Sequence, residues 1–112
     1  MISIVKQARA NHVAVKLEAR EDERVQGRAY LYLIHNDLHA APYGLLEDVF
    51  VEAEERGKGI GTALIKAAVE EAKARGCHKL ICTSRHNNLG VHGLYKKLGF
   101  LDHGVEFRMD LA

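Results

Sequence analysis

The sequence predicts a single mixed α/β domain over residues 1–112, with antiparallel strands first and a β-α-β-α-β run after them. Three observations carry this. Val13, Val15, Leu17 and Ala19 alternate with polar residues, the period of a half-buried strand. Three glycines, Gly57, Gly59 and Gly61, stand immediately before an amphipathic helix pattern. A second strand-then-helix segment follows, and an alternating stretch closes the chain.

Taken in order, residues 2–5 read as a short first strand and 12–20 as a long second one. The charge run "EAREDER" is a solvated hairpin turn. "VQGRAYLYLIH" is rich in aromatic and β-branched residues, which predicts a strand over about 25–35. "HNDLHAAPYG" is a loop by its Asn, Asp, Pro and Gly content. "LLEDVFVE" is more continuously apolar and reads as a central strand. A helix over about 60–75 places Ile60, Leu64, Ala68 and Ala72 on one stripe, with Ile65 and Val69 beside it. Lys66 with Glu70, and Glu71 with Arg75, stand at i,i+4 spacing, and Gly76 is a C-terminal cap. "HKLICTS" is a strand. Asn87 or Asn88 caps a helix over about 89–98, whose apolar face carries Val91, Leu94, Tyr95 and Leu98. Gly99 ends that helix, and "VEFRMDL" is a last strand.

Composition narrows the function classes. The chain has 16 basic and 15 acidic residues and a formal net charge of +1, so no nucleic-acid or membrane surface is expected. No apolar run has transmembrane length, and the N-terminus lacks signal-peptide architecture. Two cysteines, Cys77 and Cys82, do not make a disulfide framework, and a reduced, cytoplasmic setting is expected. No metal is expected either. Cys82, His86 and His92 lack an established zinc spacing and a fourth ligand, and His35 and His39 fall in a loop.

The glycine loop carries the chemistry. A helix N-terminus presents unpaired N–H groups and a partial positive charge, and glycines let an anion reach them. Arg56 and Lys58 add positive charge. No Lys-Ser/Thr pair follows, so the loop is not a Walker loop. Counting from Gly57, Thr62 stands where a dinucleotide fingerprint needs its third glycine, and the next strand does not end in an acid. Arg56, Gly59 and Gly61 do match the pattern Arg/Gln-x-x-Gly-x-Gly/Ala.

On these residues the sequence resembles the GNAT superfamily of acyl-CoA-dependent N-acyltransferases. "VFVEAEERGKGIGTALI" is similar to its pyrophosphate-binding motif, and "NNLGVHGLYKKLGF" to its closing helix and following turn. The resemblance covers about residues 43–112. Within the superfamily, "LEDVFV" followed by "LYKKLGF" is similar to amino-sugar-phosphate acetyltransferases, without naming an acceptor.

The resemblance implies the GNAT fold, acetyl-CoA as cosubstrate and an amine as acceptor. Acetyl-CoA would lie in a splayed slot between "LLEDVFV" and "KLICTS". Backbone groups of Val49, Phe50 and Val51 would pair with the pantetheine arm, and an N–H there would stabilise the oxyanion. Arg56, Gly57, Lys58, Gly59, Ile60, Gly61 and Thr62 would hold the pyrophosphate. Tyr95 matches a tyrosine that protonates the departing thiolate, although it also fits the apolar helix stripe as a packing residue. Glu47 is the candidate for accepting the amine's proton, directly or through water; alternatively it only orients the ammonium. Asp48 points to the other face unless the strand bulges. Asn88 either bonds the cofactor arm or caps its helix.

One departure stands out. Only "ARAN" separates Gln7 from His12, where relatives place two helices that wall the acceptor pocket. The face carrying Val13, Val15 and Leu17, or the strip with Tyr30 and Tyr32, is then expected to lack cover, and a homodimer would supply it. Two other readings stay open: a coenzyme A-binding module without catalysis, and a nucleotide-binding fold.

Overall fold

Alternation builds an antiparallel ladder from β1 (Val13–Glu21), β2 (Arg24–Ile34) and β3 (Tyr43–Val51). With β4 (Leu80–Cys82) the sheet has the order β1-β2-β3-β4. This computed structural model describes residues 1–112, which pack as two units, Met1–Ile81 and Cys82–Ala112. The charge run does make the β1–β2 turn, with Asp22 in the left-handed region at φ 55°.

Register sorts the side chains of the first unit into two faces. Val15 pairs with Leu31 and Leu31 with Leu46, so these three share a face, as do Val13, Leu33 and Gly44. That face receives α1 (Ile60–Ala74), whose Leu64, Ile65, Ala68 and Ala72 are buried. Ala29, Leu31, Leu33 and Leu46 complete the core. At Gly27 the chain has no room for a side chain: a Cβ would stand 2.7 Å from the Phe50 carbonyl oxygen and 3.1 Å from Leu64 Cδ1.

The other face carries Ala14, Lys16, Tyr30, Tyr32, Leu45 and Glu47. Tyr30 and Tyr32 stack with centroids 6.1 Å apart. α1 does not reach this side. Of the two faces expected to lack cover, α1 lies on the one with Val15 and Leu17, where Val13 stays 43% exposed, and not on the tyrosine strip.

α1 ends as its glycine predicts. The Gly76 N–H bonds the Lys73 carbonyl and the Cys77 N–H bonds the Ala72 carbonyl, the paired bonds of a Schellman cap. Glu71 and Arg75 pair at 2.8 Å, but Glu70 meets Lys73 at 3.8 Å instead of Lys66. β3 and β4 are joined at their start by bonds from the His78 N–H to Pro42 and from the Gly44 N–H to Lys79. Both partners advance together along the chain, so the strands run parallel, and α1 is the crossover between them.

The second unit is built on α2 (Leu89–Lys97), which repeats the same cap: Gly99 N–H to Lys96 and Phe100 N–H to Tyr95. The Tyr95 and Phe100 rings meet at 5.4 Å across it.

Two expected strands are not strands. Residues 2–5 and 105–111 form neither strand nor helix, with Ile4 79% and Phe107 92% exposed. Both alternate, but alternation only makes a segment compatible with a sheet; pairing needs a partner edge that local sequence does not encode. The fold is thus the expected mixed sheet with helices, without strands at the two ends of the chain.

Candidate functional site

The glycine loop is laid out for an anion. Gly57 and Gly59 both sit at φ 84°, the left-handed region, and a Cβ at either would meet nothing within 4 Å. Gly59 is the N-cap of α1, and no side chain caps the helix. The Ala63 N–H makes a bond to the Gly59 carbonyl at 3.0 Å. The N–H groups of Ile60, Gly61 and Thr62 precede it and are left to project from the helix end. No acidic residue occupies the first turn, so nothing there opposes a negative ligand.

The two cations of the loop are engaged within the protein. Arg56 Nε donates to the Val51 carbonyl at 3.0 Å, and its guanidinium lies 5.6 Å from the Phe50 ring centroid. Lys58 Nζ donates to Glu55 Oε2 at 2.9 Å. What the loop offers freely is its backbone, the part that the glycines make accessible.

β3 feeds into this loop and is bulged. Tyr30 pairs with Glu47 and Arg28 with Phe50, so two steps on β2 oppose three on β3. Asp48 takes the strain at φ 54°, and both Glu47 and Asp48 are exposed, unlike in a regular strand. The bulge re-aims the strand end carrying Val49, Phe50 and Val51. β4 has three residues against nine in β3, which leaves the C-terminal part of β3 unmatched on that side.

Glu47 faces an open cavity of about 370 Å³, with His12, Val13, Ala14, Tyr32, Leu33, Ile34 and Leu45 as its other walls. Glu47 is its one carboxylate, and neither Lys nor Arg lines it. His12 was not singled out by the sequence. Its Nδ1 accepts the His35 N–H at 3.1 Å, so the neutral ring carries its proton on Nε2.

In the second unit Tyr95 is half-buried, with Cys82 as its neighbouring titratable group. Burial, then the neighbouring Cys82, raises the phenol above its ordinary value, so it stays protonated at neutral pH. Burial pushes the Cys82 thiol up to about 11, which leaves it a neutral thiol and no nucleophile. Asn88 occupies the N-cap position of α2, but its side chain makes no capping bond; only its backbone does, accepting from His92 at 3.2 Å.

The first unit therefore brings together the loop, the bulged strand end and Glu47, while Tyr95 and Asn88 belong to the second. Sequence reading missed Glu55, a buried carboxylate inside the glycine motif. Nothing in its spacing marked it, because its burial depends on two side chains from β2. No three His, Cys, Asp or Glu side chains gather as metal ligands, and no helix is long and apolar enough to cross a membrane.

The chain is similar to known proteins over most of its length. It is 41% identical over 68 residues to glucosamine 6-phosphate N-acetyltransferase of Trypanosoma brucei brucei, covering 61% of this chain and 44% of that protein. It is 32% identical over 103 residues to aminoglycoside N(6')-acetyltransferase type 1 of Stenotrophomonas maltophilia, covering 88% and 67%. Among solved structures, a Trypanosoma brucei acetyltransferase superposes with a TM-score of 0.74 at 33% identity, over 91% of this chain and 70% of that one. A putative acetyltransferase from Agrobacterium tumefaciens gives 0.81 at 26% identity, over 87% and 68%. The chain spans less than half the length of the Trypanosoma glucosamine 6-phosphate enzyme. The family described as acetyltransferase (GNAT) matches residues 3–100, a span that contains the bulged strand, the glycine loop and the closing helix, and the chain belongs to that family.

Proposed function

We propose that this chain transfers an acetyl group from acetyl-CoA to a primary amine by direct attack. The observation that carries the reading is the unpaired backbone at the N-terminus of α1, opened by Gly57 and Gly59 and free of acidic residues. The pyrophosphate of the cosubstrate would accept N–H bonds from Gly57, Lys58, Gly59, Ile60, Gly61 and Thr62. The pantetheine arm would pair with the open edge at Val49, Phe50 and Val51. The amine nitrogen attacks the thioester carbonyl carbon, and an N–H of this strand end holds the oxygen that gains charge. Glu47, directly or through water, takes the proton that nitrogen loses. The C–S bond breaks, and Tyr95 gives its proton to the sulfur and regains one from solvent. Asn88, whose amide is not spent on capping, is available to the cosubstrate's arm.

The cavity before Glu47 supports a finer reading. A single carboxylate without Lys or Arg suits a cationic amine that carries no anionic group. A phosphorylated amino sugar would find no counter-charge in that lining. Of the acceptors named for the two similar proteins above, the aminoglycoside, cationic and without an anionic group, has the matching charge, and the reading follows that class.

A second copy of the chain would cover the Tyr30–Tyr32 strip and add a wall to the acceptor side. Light scattering tests this: a mass near 12.5 kDa at micromolar concentration would refute the homodimer. The free thiols of Cys77 and Cys82 support a reducing, cytoplasmic setting.

The function itself is tested by an acceptor panel read by free-thiol release. Turnover with amines that carry no anionic group, aminoglycosides among them, above that with glucosamine 6-phosphate, is the expected result. Coenzyme A binding without turnover on any amine would leave a binding module in place of an enzyme.

A further inference from the structure

Glu55 is the one buried charged residue, 4% exposed, and it sits in the 3-10 turn Ala53–Glu55 directly before Arg56. Both of its oxygens are used. Oε1 forms an ion pair with Arg24 Nη2 at 2.7 Å. Oε2 accepts from Lys58 Nζ at 2.9 Å and from Gln26 Nε2 at 3.3 Å. Arg24 and Gln26 belong to β2, and both also reach Glu21 at the end of β1, at 3.4 and 3.0 Å. One carboxylate thus links the glycine loop, through Lys58, to the tip of the β1–β2 hairpin. The loop needs such a link. A Cβ at Gly57 or Gly59 would meet nothing within 4 Å, so no neighbour buttresses the loop on that side, and glycine has the most conformational freedom to lose.

We propose that Glu55 is a positioning residue for the phosphate-binding loop, fixing Lys58 and the neighbouring N–H groups in the shape that receives the pyrophosphate of coenzyme A. This rests on the loop reading given under Proposed function. It makes a prediction opposite in sign to simple electrostatics. A carboxylate beside an anion site repels the ligand, so its removal would tighten binding if charge alone mattered. If positioning matters, removal weakens binding, because the ligand must then pay to order the loop.

The test is Glu55→Gln, which keeps the shape and removes the charge. Coenzyme A affinity is measured by calorimetry and backbone order by 15N relaxation. The expected result is coenzyme A binding weaker by about tenfold or more. Order parameters for residues 57–61 should fall from about 0.85 toward 0.6, while those of Leu64, Ile65 and Ala68 hold. Unchanged or tighter binding would overturn the proposal. So would equal loss of order in the loop and in α1, which would make Glu55 a general structural residue. Arg24→Met, an exposed change that cuts one arm, is the second variant in case Glu55→Gln does not fold. A few-fold weaker affinity is expected, and none would overturn the link. Gly59→Glu separates the two levels. If it binds coenzyme A as the wild type does, the loop assignment itself falls; if it does not and Glu55→Gln binds normally, only the positioning role falls.

Discussion

The proposed donor side and the proposed acceptor side of this protein are built from different materials. The glycine loop would work through its backbone: two left-handed glycines, a helix end and a bulged strand, with Glu55 bonded to Lys58. The proposed acceptor side would work through side chains: Glu47 in an open cavity, and stacked tyrosines that α1 leaves uncovered. Backbone chemistry needs only a few glycines in a row and is local. A side-chain pocket draws on His12, Tyr32, Leu45 and Glu47 from separate strands, so small changes along the chain remake it. A family can therefore keep its donor while its acceptors diverge.

The sharpest way to break that contrast is Gly59→Glu. At coenzyme A of 100 times Kd, ligand binding adds about 2.7 kcal/mol to the native state. The resulting rise in melting temperature should vanish entirely in this variant, and an unchanged rise in a folded protein would end the loop assignment. On the acceptor side, Glu47→Gln should lower turnover by about 100-fold or more while coenzyme A affinity holds. A loss of both together would place Glu47 in the donor half. Tyr95→Phe keeps the ring against Phe100 and removes the hydroxyl. Turnover should fall by about 10–1000-fold, and wild-type rates would leave Tyr95 a packing residue.

The smallest effect is one of pH. Lys58's hydrogen bond foremost, with the charges of Arg24 and Lys58, holds the Glu55 carboxyl below its ordinary 4.5 despite burial. A lowered folded-state pKa gives stability that is present above the unfolded value and lost as pH falls through the folded one. Denaturant midpoints should therefore drop less in Glu55→Gln than in the wild type between pH 7 and the range below 4.5. Glu18, also lowered, chiefly by the Arg20 hydrogen bond, is common to both proteins and cancels. Parallel midpoints would mean that Glu55 is not held as a carboxylate.

The same contrast explains what the sequence disclosed. The loop, the span of α1, the Gly76 cap and the two long strands follow from short-range rules, and they were legible. The bulge at Asp48 could be suspected but not fixed, because it is a relation between β3 and β2. Glu55 was invisible for the same reason: its partners lie about thirty residues away, at Arg24 and Gln26. Val105, Phe107, Met109 and Leu111 alternate as well as any strand, yet they stand exposed, since alternation does not create a neighbouring edge.

The central claim is that backbone N–H groups of the loop and the end of β3 receive acetyl-CoA. An amide-resolved NMR titration with coenzyme A reads those groups one by one. The largest shifts should fall on Gly57, Gly59, Ile60, Gly61 and Thr62, with Val49, Phe50 and Val51 next, and Tyr30 should move little. Saturable shifts elsewhere, with the loop amides unmoved, would contradict the account.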